Sequence, residues 1–339
     1  MKKVYFLKKG SDMKEAADKI CSLFSDSISS ENKVALKLHF GERNLDTSLN
    51  PKFVKRIFEN ILKKTSDVSL VETTVLYKGE RSLASTHLKL ARDKGFDFAP
   101  IDIVDGEKGD KEARVIINNE NSSLKEIKIG AGIQKYDTLL VLSHFTGHLI
   151  SGIGGAIKNV GMGLADKAGK LEMHQAFNLE IDKSLCTGCT SCIKDCPASA
   201  ISLKDGKAEI DFEKCIGCGK CVSVCPYSAI KVPLLNAPSK VLQEKMAEYA
   251  SGILQAKKAF YINVLTGITQ RCDCVNFHQD PIMEDIGILF SEDIVSIDKA
   301  SLDLAGKERF TSPEIDPAWQ VEKAFSLGMG EKEYELIEV

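Results

Sequence analysis

Cys186-Thr-Gly-Cys189-Thr-Ser-Cys192-Ile-Lys-Asp-Cys196-Pro197 and Cys215-Ile-Gly-Cys218-Gly-Lys-Cys221-Val-Ser-Val-Cys225-Pro226 are two copies of one pattern, C-x2-C-x2-C-x3-C-P. Three cysteines at two-residue gaps wrap a tight loop around one corner of an iron–sulfur cubane. The fourth iron takes its ligand from the C-P cysteine of the other copy. The spacing therefore assigns Cys186, Cys189, Cys192 and Cys225 to one [4Fe–4S] cluster, and Cys215, Cys218, Cys221 and Cys196 to a second. Such a cross-over locks the halves together, so the segment is expected to fold only when metallated. Outward from the ligands, Ile181-Asp182 matches Ile210-Asp211 and Ala200-Ile201 matches Ala229-Ile230 at the same offset, which marks an internal duplication. Ala200–Leu203 and Ala208–Ile210 read as small strands covering the clusters.

Other uses of the cysteines fit less well. A zinc ribbon has two C-x2-C pairs, without a third cysteine two residues on and a C-P after it. Disulfides need an oxidising compartment, and the opening Met-Lys-Lys-Val-Tyr-Phe has no long apolar signal core. A single [3Fe–4S] cluster would leave a ligand position vacant, and none is missing. The segment resembles a bacterial-type dicluster ferredoxin over its whole length, which implies one-electron transfer at low potential.

The whole chain has 339 residues, 43% hydrophobic and 27% charged, with a net charge of −3. These values are ordinary for a globular protein. No basic or acidic block points to nucleic acid or to an acidic membrane surface. No stretch approaches the ~20 apolar residues that span a bilayer. The expectation is a cytoplasmic protein with reduced cysteines, at home in an anaerobic or microaerobic cell.

Outside the cysteine segment, strand and helix patterns alternate. Lys3–Leu7, Val34–Phe40, Val68–Val71, Phe98–Val104, Thr138–Leu142, Ala259–Leu265 and Ile286–Phe290 read as strands. Met13–Phe24 has helical periodicity, Pro51 opens a helix to Leu62, Ser82–Lys94 is a helix closed by Gly95, and Ser239–Gln255 is another. Arg114–Asn118 and Leu124–Ile129 read as a hairpin. This alternation predicts an α/β fold: a mostly parallel sheet with helices on both faces, interrupted by a small α+β ferredoxin-like dicluster module. The division expected is residues 1–178 and 234–339 as two parts of one α/β domain, with residues 179–233 inserted. The competing division is three consecutive domains.

Ligands of open α/β sheets bind beyond the carboxyl ends of the strands. Strand alternation puts Lys37 and His39 on one face, opposite Leu36, Leu38 and Phe40. Glu72 and Thr73, then Ser143, His144 and His148, then Ser291 and Asp293 follow later strands. Each alone is read as a solvated loop residue or a cap, as Asp293 would be for the helix after it. Their recurrence at strand ends predicts a shared pocket. Gly147 to Gly163 is glycine-rich, with Lys158 inside it. Gly152, Gly154, Gly155 and Lys158 are candidate cofactor-binding residues, because glycines allow close approach and helix-start amides favour an anion. The order is neither G-x-G-x-x-G nor a P-loop, and close helix–sheet packing explains the glycines equally well. Cys21 lies in an apolar helical stripe and reads as a small hydrophobe. Cys272-Asp-Cys274, with His278 nearby, would face one way in an extended segment, as metal ligands or a redox pair, or as two loop thiols without a role.

Lys37-Leu-His-Phe-Gly-Glu42, His144-Phe-Thr-Gly-His148 with the run to Gly163, Cys272-Asp-Cys274, and Asp285-Ile-Gly-Ile-Leu with Ser291 to Asp298 together resemble the domain-of-unknown-function family numbered 362. Many members of that family carry a dicluster ferredoxin at this point and are named only as iron–sulfur proteins. The resemblance implies the architecture and no catalytic residues. The function expected is an electron-transfer oxidoreductase component. Two [4Fe–4S] clusters would serve a substrate, a further metal or a small-molecule cofactor in the α/β pocket. Lys37, His39, His144, His148, Lys158, Cys272 and Cys274 are the catalytic candidates. The partners expected are a redox protein and an anionic small molecule. The alternatives are a non-catalytic electron carrier that docks an oxidoreductase, and a protein that handles metals or clusters.

Overall fold

The computed structural model describes residues 1–10, 12–174, 179–233 and 237–339. Its central feature is an eight-stranded sheet. The strands are β1 (Lys2–Lys8), β2 (Val34–Lys37), β3 (Val68–Glu72), β4 (Ile101–Ile103), β5 (Thr138–His144), β6 (Lys258–Leu265), β7 (Gly287–Ser291) and β8 (Tyr334–Glu338). Their order across the sheet is β8-β1-β7-β6-β5-β2-β3-β4. β7 runs antiparallel to both neighbours, and every other pair is parallel. The fold is thus α/β with a mostly parallel sheet.

Helices cover both faces: α1 (Met13–Phe24), α2 (Pro51–Leu62), α3 (Ala84–Asp93), α4 (Ala156–Leu164), α5 (Lys167–Met173), α6 (Ser239–Leu254), α7 (Ile294–Ala305) and α8 (Trp319–Ser326). Alternation along the buried strands separates two cores. Leu36, Leu38, Phe40, Leu70, Leu140 and Leu142 pack with α1 and α2. Ala35, Val71, Leu139 and Val141 pack with α4, α6 and α7 on the other side. α1 is capped by Asp12, whose carboxylate accepts from the Lys14 and Glu15 amides, and α2 by Asn50 ahead of Pro51. No helix of the described residues is long and apolar enough to cross a membrane.

Several elements depart from expectation. The strand expected over Val34–Phe40 leaves the sheet after Lys37, and the one expected over Phe98–Val104 is only Ile101–Ile103. α8 and β8 lacked a readable pattern. β8 is an edge strand whose burial does not alternate. The antiparallel course of β7 carries Ser291 and Asp293 to the opposite edge of the sheet, where Ser291 pairs in register with Tyr261 near the start of β6. Ser291 donates to the Lys3 carbonyl, and Asp293 caps α7 by accepting from the Ser296 amide. Neither belongs with the other strand-end residues.

β1 to β5 precede the cysteine-rich segment and β6 to β8 follow it, in one sheet. The expected boundaries at 178/179 and 233/234 fall on residues 175–178 and 234–236, outside the described residues. Inside the segment, Glu180–Ile181 pairs with Ile230–Lys231, and Ile201–Lys204 with Lys207–Ile210. Each copy therefore contributes its first strand to the other copy's last. The Asp182 amide donates to the Ala229 carbonyl at 2.7 Å, and the Asp211 amide to the Ala200 carbonyl at 2.8 Å. These reciprocal bonds give the duplication a two-fold relation. The left-handed backbone repeats as well: Gly188 and Gly217, Thr190 and Gly219, Ser199 and Ser228 all have positive φ.

Candidate functional site

The chain leaves β2 toward β3 over one face and leaves β5 through α4 over the other. Loops that diverge in this way open a crevice at the carboxyl ends of the two strands. A cleft of about 340 Å³ lies there, lined by Lys37, His39, Glu72, Thr73, Ser143, His144, His148, Lys158, Cys272 and Cys274 among others. That volume is within the range of small-molecule sites. The strand-end residues of β2, β3 and β5 are brought together, and both thiols of the Cys272–Cys274 pair join them.

The inner wall is a buried ionic network. Glu72, 2% exposed, accepts from Lys37 Nζ at 2.9 Å through one oxygen and from Arg81 Nη2 at 2.5 Å through the other. Burial alone would raise the Glu72 pKa, but Lys37 and Arg81 outweigh it and hold the carboxyl well below its usual range. Lys37 gives its remaining donors to the Leu38 carbonyl and to Asn159 Oδ1. An ammonium has three donors, so all are engaged internally, and Lys37 has none left for a ligand. Arg81 also faces His39 Nε2 at 2.6 Å. The Gly41 amide donates toward the other ring nitrogen, Nδ1, at 3.0 Å, so both nitrogens face donors, and burial followed by Arg81 keeps the His39 pKa well below its ordinary value. His39 is a neutral acceptor here. Arg81 was missed by the sequence reading, because its partners lie on other elements.

The outer wall is the loop after β6. Val275 N–H donates to the Cys272 carbonyl at 3.2 Å, closing a turn over Cys272–Val275. The segment is a turn and not the extended strand expected, yet it still presents both thiols to the cleft. His144 holds the turn in place. Its Nδ1 lies 3.0 Å from both oxygens of Asp273, and its Nε2 lies 2.9 Å from the Thr266 carbonyl. Both nitrogens face acceptors, so the imidazolium satisfies both. Burial opposes that charge, but Asp273 and the hydrogen bonds prevail and raise the His144 pKa above its ordinary value. His144 is therefore a positioning residue, fully occupied in clamping the turn to β5. Asp273 was also missed, although its place between two cysteines is the one local sign of it.

His148 is set differently. Its Nδ1 accepts from the Ile150 and Ser151 amides at 3.2 and 3.0 Å, which leaves the proton on Nε2. His148 and the Cys272 thiol both line the cleft. Burial, then Lys158, lowers the His148 pKa, so the ring is neutral. A hydrogen bond from Cys274 holds the Cys272 thiol well below its usual pKa against the opposing effect of burial, with Lys158 and His148 adding to it. Cys274 is raised in turn by the same hydrogen bond and by burial. That contact favours negative charge on Cys272 over Cys274. Lys158 is kept charged against burial by Cys274, Cys272 and Asp273. His278, expected near the thiols, instead pairs with Asp46 at 3.0 Å on the surface.

The glycine-rich segment answers mainly to packing. The first amides of α4, those of Ala156 and Ile157, donate to the buried Asp298 carboxylate at 2.7 and 2.8 Å. An internal anion therefore fills the helix start expected to bind a ligand. A Cβ on Gly155 would collide with Asp298, one on Gly161 with the Met246 carbonyl, and one on Gly152, where φ is +72°, with Pro317. Gly152 and Gly155 are thus required by close approach. Gly154 alone has ordinary space, beside Thr146 and Lys158. Cys21 is buried in α1, where burial pushes its thiol up to about 12.

The eight cysteines of the duplicated segment ring two small cavities. Cys186, Cys189, Cys192 and Cys225 line one, and Cys196, Cys215, Cys218 and Cys221 line the other. Ala200 and Ala229 amides donate to Cys196 and Cys225 sulfurs, each at 3.3 Å. Among the described residues, no three His, Cys, Asp or Glu side chains are grouped so as to hold one metal ion. The thiols surround voids and do not converge on points. The second cavity is the one beside the α/β part. Leu171, Lys167 and Leu76 close over Gly219 in its lining, and Leu76 also lines the cleft. Lys108 pairs with Asp195 at 2.9 Å, and Lys167 donates to Ser223 across the same junction.

Fold and cleft together define a mostly parallel α/β protein with a ligand-sized crevice at its switch point and a duplicated cysteine-rich segment between β5 and β6. The chain belongs to the family described as Domain of unknown function (DUF362), whose model matches residues 34–303. That span runs from β2 into α7 and leaves out β1, α1, α8 and β8. In structure the chain is similar to the lactate racemase apoprotein from Thermoanaerobacterium thermosaccharolyticum, at 13% identity and a TM-score of 0.42, covering 78% of this chain and 51% of that one. It is also similar to a structural-genomics target from Thermotoga maritima, at 11% identity and a TM-score of 0.43, covering 95% of this chain and 61% of that one. No curated protein matches the sequence.

Proposed function

We propose that the protein is an iron–sulfur electron-transfer protein, an oxidoreductase component that delivers electrons to the switch-point cleft. The observation that carries this reading is the sorting of the eight cysteines into two cavities, each lined by three cysteines of one copy and the C-P cysteine of the other. A ring of four thiolates around a void suits a [4Fe–4S] cluster, whose irons sit between the sulfurs, and amide-to-sulfur bonds are among the features that tune such sites. When bound, the clusters supply one-electron transfer.

The chain's own residues give the route a direction. Cys189 is exposed, and Leu203, Phe212, Ile216 and Tyr227 on the same segment are 45%, 46%, 62% and 48% exposed. Exposed apolar side chains such as Tyr227 beside the first set are where a redox partner protein would dock. The set containing Cys218 and Cys221 lies inward, separated from the cleft by Leu76 and Leu171. Lys158, at the cleft, is the cation that would receive an anionic substrate group.

Anaerobically purified protein tests the reading. The expected content is about eight iron and eight sulfide per chain. Cys225→Ser should remove or alter the signal of one cluster and Cys196→Ser that of the other. Iron-free protein after anaerobic reconstitution, or native activity untouched by both substitutions, would sink the proposal.

A further inference from the structure

Once internally committed side chains are set aside, four candidates remain at the cleft: Cys272, Cys274, His148 and Lys158. Lys37 has spent its donors, His144 is held between Asp273 and Thr266, and His39 accepts from Arg81. The four survivors line one cleft. The Cys272–Val275 turn brings the two thiols together, and Asp273 between them is clamped by His144. His148 has its tautomer fixed by two backbone amides, which leaves the proton on Nε2 in the cleft that Cys272 also lines. Lys158, in the first turn of α4, lines the same cleft. This is how a reactive thiolate is built: a cation, an N–H donor and a second thiol within reach.

We propose that Cys272 and Cys274 are a two-electron dithiol–disulfide couple that passes electrons from the cluster-bearing segment to a small organic disulfide carrying an anionic group. The inference rests on the electron-transfer reading above for the source of its electrons. The Cys272 thiolate attacks one sulfur of the substrate R–S–S–R, forming a Cys272–S–S–R mixed disulfide and releasing R–S⁻. Cys274 then attacks the Cys272 sulfur and gives up its proton, forming the Cys272–Cys274 disulfide and releasing R–SH. Two electrons have passed to the substrate. The disulfide would return to one thiolate and one thiol by taking up one proton and two electrons, which clusters held by the two cysteine sets would supply one at a time. Two one-electron donors match one two-electron acceptor. Lys158 loses its thiolate counter-charge when the disulfide forms, which leaves it free for the substrate's anionic group.

The test uses the full chain, purified anaerobically with its clusters, and the anionic disulfide 5,5′-dithiobis(2-nitrobenzoate) at pH 6. There an ordinary thiol, with a pKa of about 8.5, is almost wholly protonated. The expected result is rapid release of two thionitrobenzoate anions per chain with none retained on the protein. Cys274→Ser should release one and retain one on Cys272, and Cys272→Ser should lose the rapid phase. Retention of two adducts by the unmodified chain overturns the couple, because the thiols then react singly. So does the absence of a rapid phase, and so does a bound metal whose removal by chelator is needed before either thiol reacts. A second arm separates the two proposals. The clusters of the oxidised protein are reduced and the free thiols counted by alkylation, with return of both expected. If rapid release succeeds and the thiols do not return, the electron route falls while the couple stands.

Discussion

Glu72 is the residue on which the inner wall of the cleft depends, and replacing it by Gln tests the network directly. The amide keeps the shape and removes the charge between Lys37 and Arg81, whose side chains are 1% and 3% exposed. Two cations would then be buried with one counter-charge between them lost. Breaking a buried pair in this way costs about 3–5 kcal/mol. An unfolding entropy of ~2.1 cal/mol/K per residue gives about 0.7 kcal/mol/K for this chain, so Tm should fall by about 4–7 °C. Circular dichroism of the anaerobic protein at pH 7 measures it. Adding Lys37→Met to Glu72→Gln should cost less than the two single changes together, because the second removes a cation already stranded. The Glu72 pKa is lowered in the folded chain, so its stability is fully present above the unfolded value of about 4.5 and is lost only as pH falls well below it. The gap between the Glu72→Gln variant and the wild-type protein should therefore be flat from pH 6 to 8. A Tm change under about 1.5 °C, or strict additivity in the double variant, would refute the reasoning.

Three further outcomes follow from the same geometry. Asp273→Asn should unseat the Cys272–Val275 turn. Because the His144 pKa is raised on folding, the stability from this pair is fully present below the unfolded value of about 6.5 and is lost as pH rises through the higher folded one. The Tm difference between wild type and variant should thus be largest at pH 6 and shrink toward alkaline pH. Gly161→Ala should cost roughly 1–3 kcal/mol, since its Cβ would meet the Met246 carbonyl where α4 crosses α6. Gly154→Ala, with its nearest neighbour at 3.4 Å, should leave Tm within about 1 °C, and a scan that ranks the two alike contradicts the packing account.

Local physics accounts for what could be read ahead of the fold. α1 and α2 lie where the apolar stripe of Met13–Phe24 and the helix-opening Pro51 put them, because those signals lie within a few residues. The direction of β7 had no such signal. A buried Gly-Ile-Leu-Phe run looks the same parallel or antiparallel, and so Ser291 and Asp293 were placed at the wrong edge. Arg81, Asp273 and Asp298 were invisible for another reason. Each is a charge whose worth comes from a distant partner: Glu72 on β3, His144 on β5, and the start of α4. Polar residues in loops look alike until the chain has folded. The strand-end rule found the cleft, but only the hydrogen bonds separated the residues committed to holding it from those left facing it.

The position of the cysteine-rich segment follows from the same separation. α4 and α5 form part of the cleft wall through Lys158, Asn159, Met162, Gly163 and Lys170, and α6 adds Leu242 and Met246. α5 ends at Met173, α6 begins at Ser239, and the duplicated segment lies between them. Both ends of the segment therefore return to the wall of one cleft. Leu76 and Leu171 pack against the inner face of the segment. Lys167 reinforces the junction from α5 itself, bonding to Ser223 of the segment and to the Ser82 carbonyl of the α/β part. Burial lowers the Lys167 pKa to about 8, against the pull of Asp105. Its charge, and with it the Ser223 contact, should weaken as pH rises through that value. Replacing Lys167 by Met should loosen the junction without touching any thiol. Hydrogen exchange of the Lys220–Val224 amides should then rise in the variant while that of β5 and β6 does not. Unchanged exchange at Lys220–Val224 would mean that the segment is held without Lys167.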